Sequence, residues 1–446
     1  VLCLQTTKDE PCPNRGAGAM QTVETINRIV MLLFFICYSY QFFYVAVSLL
    51  RRPKAAPEIE PKHRLAVLIA ARNEQAVLGA LLDSIAAQTY PTELLDVFVC
   101  ADNCTDETAA VARAHGALVY ERRNLARTGK GYALDYLLKN IQGRDRAAYD
   151  AYVVLDADNV LDPDFIRQID RRHADGYEIV TCCRNSKNYG DNWISAGYAL
   201  WFLRESRYLN EARMTLGTSC AVSGTGFLFS DAVLRRCGGW KYFLLTEDIE
   251  FTVDNVIRGE KVGYAEKAVL YDEQPTSFRQ SWRQRLRWSK GYLQVFRRYG
   301  GALLRGIFRG SFSCYDMAMN ILPAAVLTGV SAAVNLGAAV WGFAGGGSLA
   351  QLGLSVLRVL IGLYATVFVL GAITTVTEWK QIACPAGKKI LYAFTFPLFM
   401  FTYIPICAAS FFARAEWKPI RHERCLTLRQ ICAGSAARPL DDSRSA

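Results

Sequence analysis

The chain has 446 residues, 52% of them apolar and 21% charged, with a formal net charge of +10. That length accommodates one large soluble domain with a membrane part, or about two or three ordinary domains, and the mixture excludes both a pure membrane bundle and a disordered chain. The charge concentrates in a run of Arg and Lys from Arg279 to Arg309. Such a run serves lipid headgroups, a phosphorylated ligand or nucleic acid, and without zinc-finger spacing or an RNA-binding signature beside it no nucleic-acid partner is expected.

Residues 1–27 form an N-terminal extension expected to be disordered; Met20 is a more natural opening, and the segment lacks the order of a signal peptide. Residues 28–50 carry about 22 uncharged positions in a row, enough to cross a bilayer. Arg51, Arg52 and Lys54 follow directly, which places the C-terminal end of that span in the cytoplasm.

From 51 to 278 the pattern changes to short β-rich runs alternating with helical ones, as in an α/β fold with a mostly parallel sheet and flanking helices. RLAVLIAA (64–71), LDVFVCAD (95–102) and AYVVLDADN (151–159) read as strands. Each runs into polar residues: Ala71-Arg72-Asn73-Glu74, then Asp102-Asn103, then Asp156-Ala157-Asp158. In open α/β sheets the ligand lies outside the carboxyl ends of the strands, so these tips should converge. Asp156 and Asp158 at an extended strand end point to one side. They suit Mg²⁺ or Mn²⁺ bound together with substrate phosphates, or are solvated turn residues. Fourteen Cys without repeated spacing and four distant His argue against a zinc site and a disulfide scaffold. The cysteines read as small buried hydrophobes.

Residues 279–312 are amphipathic and basic, as in helices lying at a membrane interface. Further apolar segments follow at about 317–343, 353–376 and 390–413, before a tail at 414–446. Pro397 and Pro405 interrupt the last, and the basic tail after it favours the cytoplasm. A full span and a broken, re-entrant segment are both open, and the tail charge favours the second.

The ordered set AARNE, ADNCTDET, RTGKGYALDYLL, VVLDADN, SGTGFLFS, LTEDIEF and QRLRW resembles the membrane-embedded family 2 glycosyltransferases, the group of cellulose, chitin, hyaluronan and poly-N-acetylglucosamine synthases. The resemblance is strong over about 62–300. It implies a GT-A-type nucleotide-sugar domain inserted between transmembrane helices, in a multi-pass protein of the plasma membrane with the catalytic domain cytosolic. It also implies an inverting, processive β-glycosyltransferase that extends a polysaccharide from a UDP-sugar. The alternative is a single transfer to a lipid acceptor. Ala71, Arg72, Glu74 and Asp102 match the nucleotide positions, and Lys130 a basic residue near the diphosphate, unless it is a solvated turn residue. Asp156 and Asp158 match the metal motif, with Asp158 the more direct ligand.

Glu247 and Asp248 match the motif of the general base, with Asp248 taking the acceptor proton. Read alone, Thr246-Glu247-Asp248 would equally cap the helix it opens. In QRLRW, Arg285 and Arg287 suit a diphosphate, while Gln284 and Trp288 suit the acceptor, Trp288 as a flat face for a sugar ring. Gly224 and Gly226 match part of the acceptor site or simply make a tight turn. Glu416-Trp417-Lys418-Pro419-Ile420-Arg421 loosely resembles a gating segment over the nucleotide. Only one span precedes the catalytic region, fewer than in several polymer synthases, which puts secretion through a single protomer in doubt.

Overall fold

A computed structural model describes residues 15–51, 54–60, 62–144, 149–345, 349–413, 422 and 424–433. Eight strands make one sheet: β1 Leu65–Ala71, β2 Leu95–Asp102, β3 Leu118–Arg122, β4 Ala151–Asp156, β5 Val160–Leu161, β6 Ile179–Ser186, β7 Phe227–Ser230 and β8 Val262–Asp272, in the spatial order β3-β2-β1-β4-β7-β6-β8-β5. The continuous apolar runs of β1 and β4 follow from burial on both faces. Leu65, Val67 and Ile69 pack into one core, Ala66 and Leu68 into the other.

The three expected strands are those observed, and their register aligns the tips. Ala71 pairs with Ala101, and Ala70 with Asp156, so Arg72, Asp102 and Asp156 leave the sheet side by side. The sheet is more mixed than the alternating pattern suggests, with four parallel and three antiparallel pairings. Antiparallel β7 lies between β4 and β6, so its beginning rather than its end reaches the ligand edge. That places Ser223-Gly224 beside Asp156.

The helix Arg15–Leu50 starts thirteen positions before the expected span; residues 15–27 are helical, against the expected disorder there, and residues 1–14 lie outside the described residues. Among the described residues three stretches are long and apolar enough to cross a membrane: Gln21–Leu50, Val356–Thr377 and Ala386–Phe412. The helix Pro323–Gly345 lies where the 317–343 segment was expected. The 390–413 segment forms two helices, Ala386–Phe401 and Tyr403–Phe412, interrupted at Thr402. The long helix Phe278–Phe308 packs between the helix Glu247–Ile257 of the sheet domain and the apolar helix Tyr403–Phe412. The expected gating segment, 416–421, lies outside the described residues.

Candidate active site

The strand tips open into a cavity of about 1070 Å³ that continues among the apolar helices. Its wall gathers Ala71, Arg72, Glu74, Asp102, Lys130, Asp156, Asp158, Gly224, Glu247, Asp248, Gln284, Arg287 and Trp288. Two turns at the tips hold non-glycine residues in the left-handed region, Asn73 (φ 57°) and Asn103 (φ 55°). Asn tolerates that conformation better than most non-glycine residues, and here each amide ties its turn to a neighbouring loop. Asn73 Oδ1 accepts from the Thr105 N–H at 2.8 Å, and Asn103 Oδ1 from the Asn124 N–H at 2.7 Å. The helix following β1 therefore begins only at Leu78, leaving Glu74 in the loop, free of helical constraint to face the cavity.

Lys130 bridges two motifs, donating to Asp156 Oδ1 and, at 2.8 Å, to the Gly224 carbonyl. Gly224 has φ 79°, and a Cβ there would lie 3.9 Å from Asp248 Oδ2. The glycine thus serves the turn, since a Cβ at that distance would be in ordinary contact with the acid. Asp102 accepts from Arg122, whose other Nη reaches the Arg127 carbonyl, so this carboxylate is already paired.

Glu247 and Asp248 begin the helix Glu247–Ile257, and Thr246 makes no side-chain cap bond there. The Thr246 hydroxyl is instead buried against the helix Phe278–Phe308 at Gly291, where a Cβ would fall 2.5 Å from its Oγ1. Arg287 donates to the Leu245 carbonyl at 2.9 Å, fixing the loop that presents both acids. Burial, followed by the like charge of Asp248, pushes Glu247 up to about 7; burial likewise raises Asp248, against Lys130 and Arg287. The next acid, Glu250, is structural, accepting from the Phe243 and Leu244 N–H groups at 2.9 and 3.0 Å.

Gln284, Arg287 and Trp288 line the cavity, spaced i, i+3, i+4 along one helical face. Gln284 Oε1 is buried without a hydrogen-bond partner, an unsatisfied acceptor of the kind a ligand hydroxyl would pair. Trp288 stands edge-on to Tyr198 and Phe202, which fixes its ring plane.

Two expectations are corrected. Arg285 does not face the diphosphate: it is fully buried, donates to Thr402 Oγ1 at 2.6 Å and to the Phe399 carbonyl at 3.2 Å, and lies over the rings of Phe399 and Tyr403. One residue of helix rotates it about 100° away from Gln284, so it pins the long helix to the interrupted apolar one. Arg285→Met is therefore expected to lower stability by about 1–3 kcal/mol while leaving the donor KM within about twofold, whereas Arg287→Met raises the donor KM or lowers kcat. Thermal unfolding alongside donor titrations checks both; a normal melting temperature with a raised donor KM in Arg285→Met sinks the assignment. Gly226 is likewise no acceptor contact. At φ 66° its Cβ would fall 2.2 Å from Leu270 Cδ2 and 2.3 Å from Cys182 Sγ, so it is required by packing within the sheet.

Several cavity residues were not foreseen. Arg184, the charged residue near the end of β6, donates to Asp272 at 2.6 Å and to the Ser223 carbonyl at 2.9 Å, lying over the Phe202 ring. Glu205 opens a π-helical turn, Glu205–Asn210, and accepts from Ser223 Oγ at 3.1 Å. His422 comes from the tail: its Nδ1 lies 3.1 Å from Glu74 and its Nε2 3.9 Å from Asp158. Burial disfavours its charge, but Asp158 and Glu74 outweigh burial and push its pKa up to about 10.

Hard oxygen donors at Asp156 and Asp158 have the right chemistry for Mg²⁺ or Mn²⁺, and His422 joins them only by losing the proton that Asp158 and Glu74 favour. Among the described residues no three ligands are preassembled around one point. A cation here would complete its shell with substrate phosphate oxygens and water.

Residues 61–291 match the family described as glycosyltransferase like family 2. The β-monoglucosyldiacylglycerol synthase of Nostoc sp. is 26% identical over 59% of this chain and 56% of its own length. The poly-β-1,6-N-acetyl-D-glucosamine synthase of Staphylococcus aureus is 23% identical over 60% of this chain and 65% of its own length. The match thus spans less than two thirds of either relative. Among solved structures, the mannosyltransferase PcManGT of Pyrobaculum calidifontis, in complex with GDP-Man and Mn²⁺, superposes with a TM-score of 0.56 at 18% identity, covering 87% of this chain and 98% of that one, and shares its fold. With a mixed sheet of the GT-A type carrying these motifs at its ligand edge, the chain belongs to glycosyltransferase-like family 2.

Proposed function

We propose that the chain transfers one sugar, with inversion, from a UDP-sugar to the hydroxyl of a membrane lipid. The observation that carries this reading is the continuity of the cavity. From Asp156 and Asp248 it runs without a break to Val30, Met31, Phe34, Leu360 and Leu363 on apolar helices. A polysaccharide moving along that wall would strip water from its hydroxyls and find few partners, at a cost of about 1–3 kcal/mol for each one left unpaired. Acyl chains meet no such cost. The synthase of Nostoc sp., named for a glucosyl diacylglycerol product, is in keeping with this; the S. aureus relative keeps a polymer in view, and Trp288 could seat a sugar in either case.

Asp248 accepts the proton of the acceptor hydroxyl, whose oxygen forms a bond to the sugar C1 as the C1–O bond to the diphosphate breaks. Lys130 and Arg287 face the diphosphate from two sides and hold the charge that accumulates on it. Asp158 and Asp156, with His422 once deprotonated, would hold a divalent cation, which when bound adds positive charge at the leaving group. Gln284 and Trp288 orient the acceptor. The test is a panel of UDP-sugars against lipids in detergent, following released UDP and sizing the product. A single glycolipid is expected; a ladder or long polymer, or no UDP release from any donor, sinks the reading.

A further inference from the structure

Resting on the lipid-acceptor reading, we propose that the acceptor enters sideways, between the helices Gln21–Leu50 and Val356–Thr377. Its acyl chain lies on facing apolar stripes, and an uncharged, hydroxyl-bearing head reaches Asp248 through a polar neck.

The stripes are regular. On the first helix, the cavity-facing positions run from Asn27 to Phe42 at i, i+3, i+4 spacing; on the second, Val356, Leu360, Leu363, Val367 and Leu370 keep one face. At ~1.5 Å per residue the first covers about 22 Å of helix axis and the second about 21 Å. Each exceeds half of the ~30 Å hydrocarbon core, enough for one leaflet's chain. The first wall packs on Pro323–Gly345, and the second mainly on Ala386–Phe401 and more lightly on Pro323–Gly345. Among the described residues they are not packed side by side. Lining residues on these two helices keep much of their surface accessible, Phe35 63%, Met31 48% and Leu363 40%, so the cavity is open there. Both helices are long and apolar enough to cross a membrane, so an opening between them faces lipid tails.

At the catalytic end the lining turns polar. Arg204 donates to Gln41 Oε1 at 2.6 Å, and the adjoining Glu205 begins the π-helical turn and accepts from Ser223. Such turns redirect side chains inward and recur at functional sites. Beyond it lies Asp248. Glu205 offsets the Arg204 charge at this neck, so a phosphate-bearing head passing it would meet Asp248, whereas a hydroxyl can donate to either carboxylate. At the opposite end Asn27 and Asn335 exchange amide hydrogen bonds of 3.0 and 2.9 Å and close the floor.

The test narrows the opening with Phe35→Trp and Leu363→Trp, singly and together. Dioleoylglycerol in nanodiscs and dihexanoylglycerol in detergent serve as acceptors, with the donor that the UDP-sugar panel selects. The double variant is expected to lose about tenfold or more of its rate on dioleoylglycerol, with its rate on dihexanoylglycerol and its slow donor hydrolysis within about twofold of wild type. In parallel, a diacylglycerol with a diazirine in its acyl chain is expected to label residues of the two stripes. An undiminished rate in nanodiscs, equal losses on both acceptors, or labelling confined to other helices overturns the portal. Faster turnover of a polyprenyl phosphate than of diacylglycerol overturns the uncharged head. Wild-type enzyme that makes only polymer sinks the lipid reading itself, whereas wild-type glycolipid synthesis with indifferent variants sinks the portal alone.

Discussion

Asp248→Asn is expected to lower kcat by about 10²–10⁴-fold, the usual contribution of a positioned general base, while the Kd for UDP stays unchanged. The amide keeps the size of the side chain and its place 3.9 Å from a Cβ at Gly224, so donor binding through Lys130 and Arg287 is left intact. Activity in the wild type should carry an acidic limb above the ordinary carboxylate range, because burial raises Asp248. A base works only when deprotonated, so kcat falls as pH drops through the raised Asp248 pKa. The fold behaves oppositely: a carboxyl whose pKa is raised on folding binds protons more tightly in the native state, so Glu247 and Asp248 add stability at low pH and lose it as pH rises. The acid limb should therefore be reversible and free of unfolding. Glu247→Gln replaces a group that is already protonated below about 7, so the acid limb set by Asp248 should stay in place with turnover retained. Rates of UDP release and product formation across pH, with melting temperatures at each point, check all of this; a wild-type rate in Asp248→Asn removes that residue from the role.

Much of this site was legible because it lies where two periodicities meet. β1 and β4 are apolar without interruption and β2 from Val97 to Ala101, and each breaks into acids or Arg at the same edge, so topology alone brings Arg72, Asp102 and Asp156 together. The long helix was legible in its period and misread in its charge. Gln284, Arg287, Trp288 and Gly291 share a face by spacing, and Arg285 falls off it. Its guanidinium was assigned to a phosphate because of its chemistry, yet its partners, Phe399, Thr402 and Tyr403, lie more than 100 residues away in an apolar segment. Gly226 was misread similarly, since a turn glycine and a packing glycine look alike until Leu270 and Cys182 are placed. His422 had no local signal at all, because its significance depends on Glu74, 348 residues earlier. Glu205 sits in a helical run whose π-turn follows from how that run packs between domain and membrane helices rather than from its own residues.

Asp316→Ala is expected to cost about 3–5 kcal/mol, the typical penalty for leaving one partner of a buried ion pair without its counter-charge. Asp316 is fully buried and Arg213 nearly so. Arg213 binds it through two bonds, Nε to Oδ2 at 2.7 Å and Nη2 to Oδ1 at 2.9 Å. Tyr40 and Tyr44 donate to its two oxygens at 2.8 and 2.9 Å. This one carboxylate thus joins three segments distant in sequence: the first apolar helix, the helix after the π-turn, and the helix leading to the later apolar segments. With Asp316 gone, Arg213 retains a buried charge and two tyrosine hydroxyls lose their acceptor, so the catalytic domain loosens from the helix that forms one wall of the cavity. Detergent-solubilised Asp316→Ala should melt several degrees lower and elute as a broader species. Tyr44→Phe removes a single hydrogen bond and should cost about 1 kcal/mol. The pairing of Arg213→Met with Asp316→Leu separates a need for the charges from a need for filled space: replacing a buried pair by apolar groups of similar size is often neutral or stabilising, so this double variant should recover much of the loss. Should Asp316→Ala melt at the wild-type temperature, the pair does not hold the catalytic domain to the membrane helix, and that attachment must rest on the apolar contacts around Tyr44 and Leu209 instead.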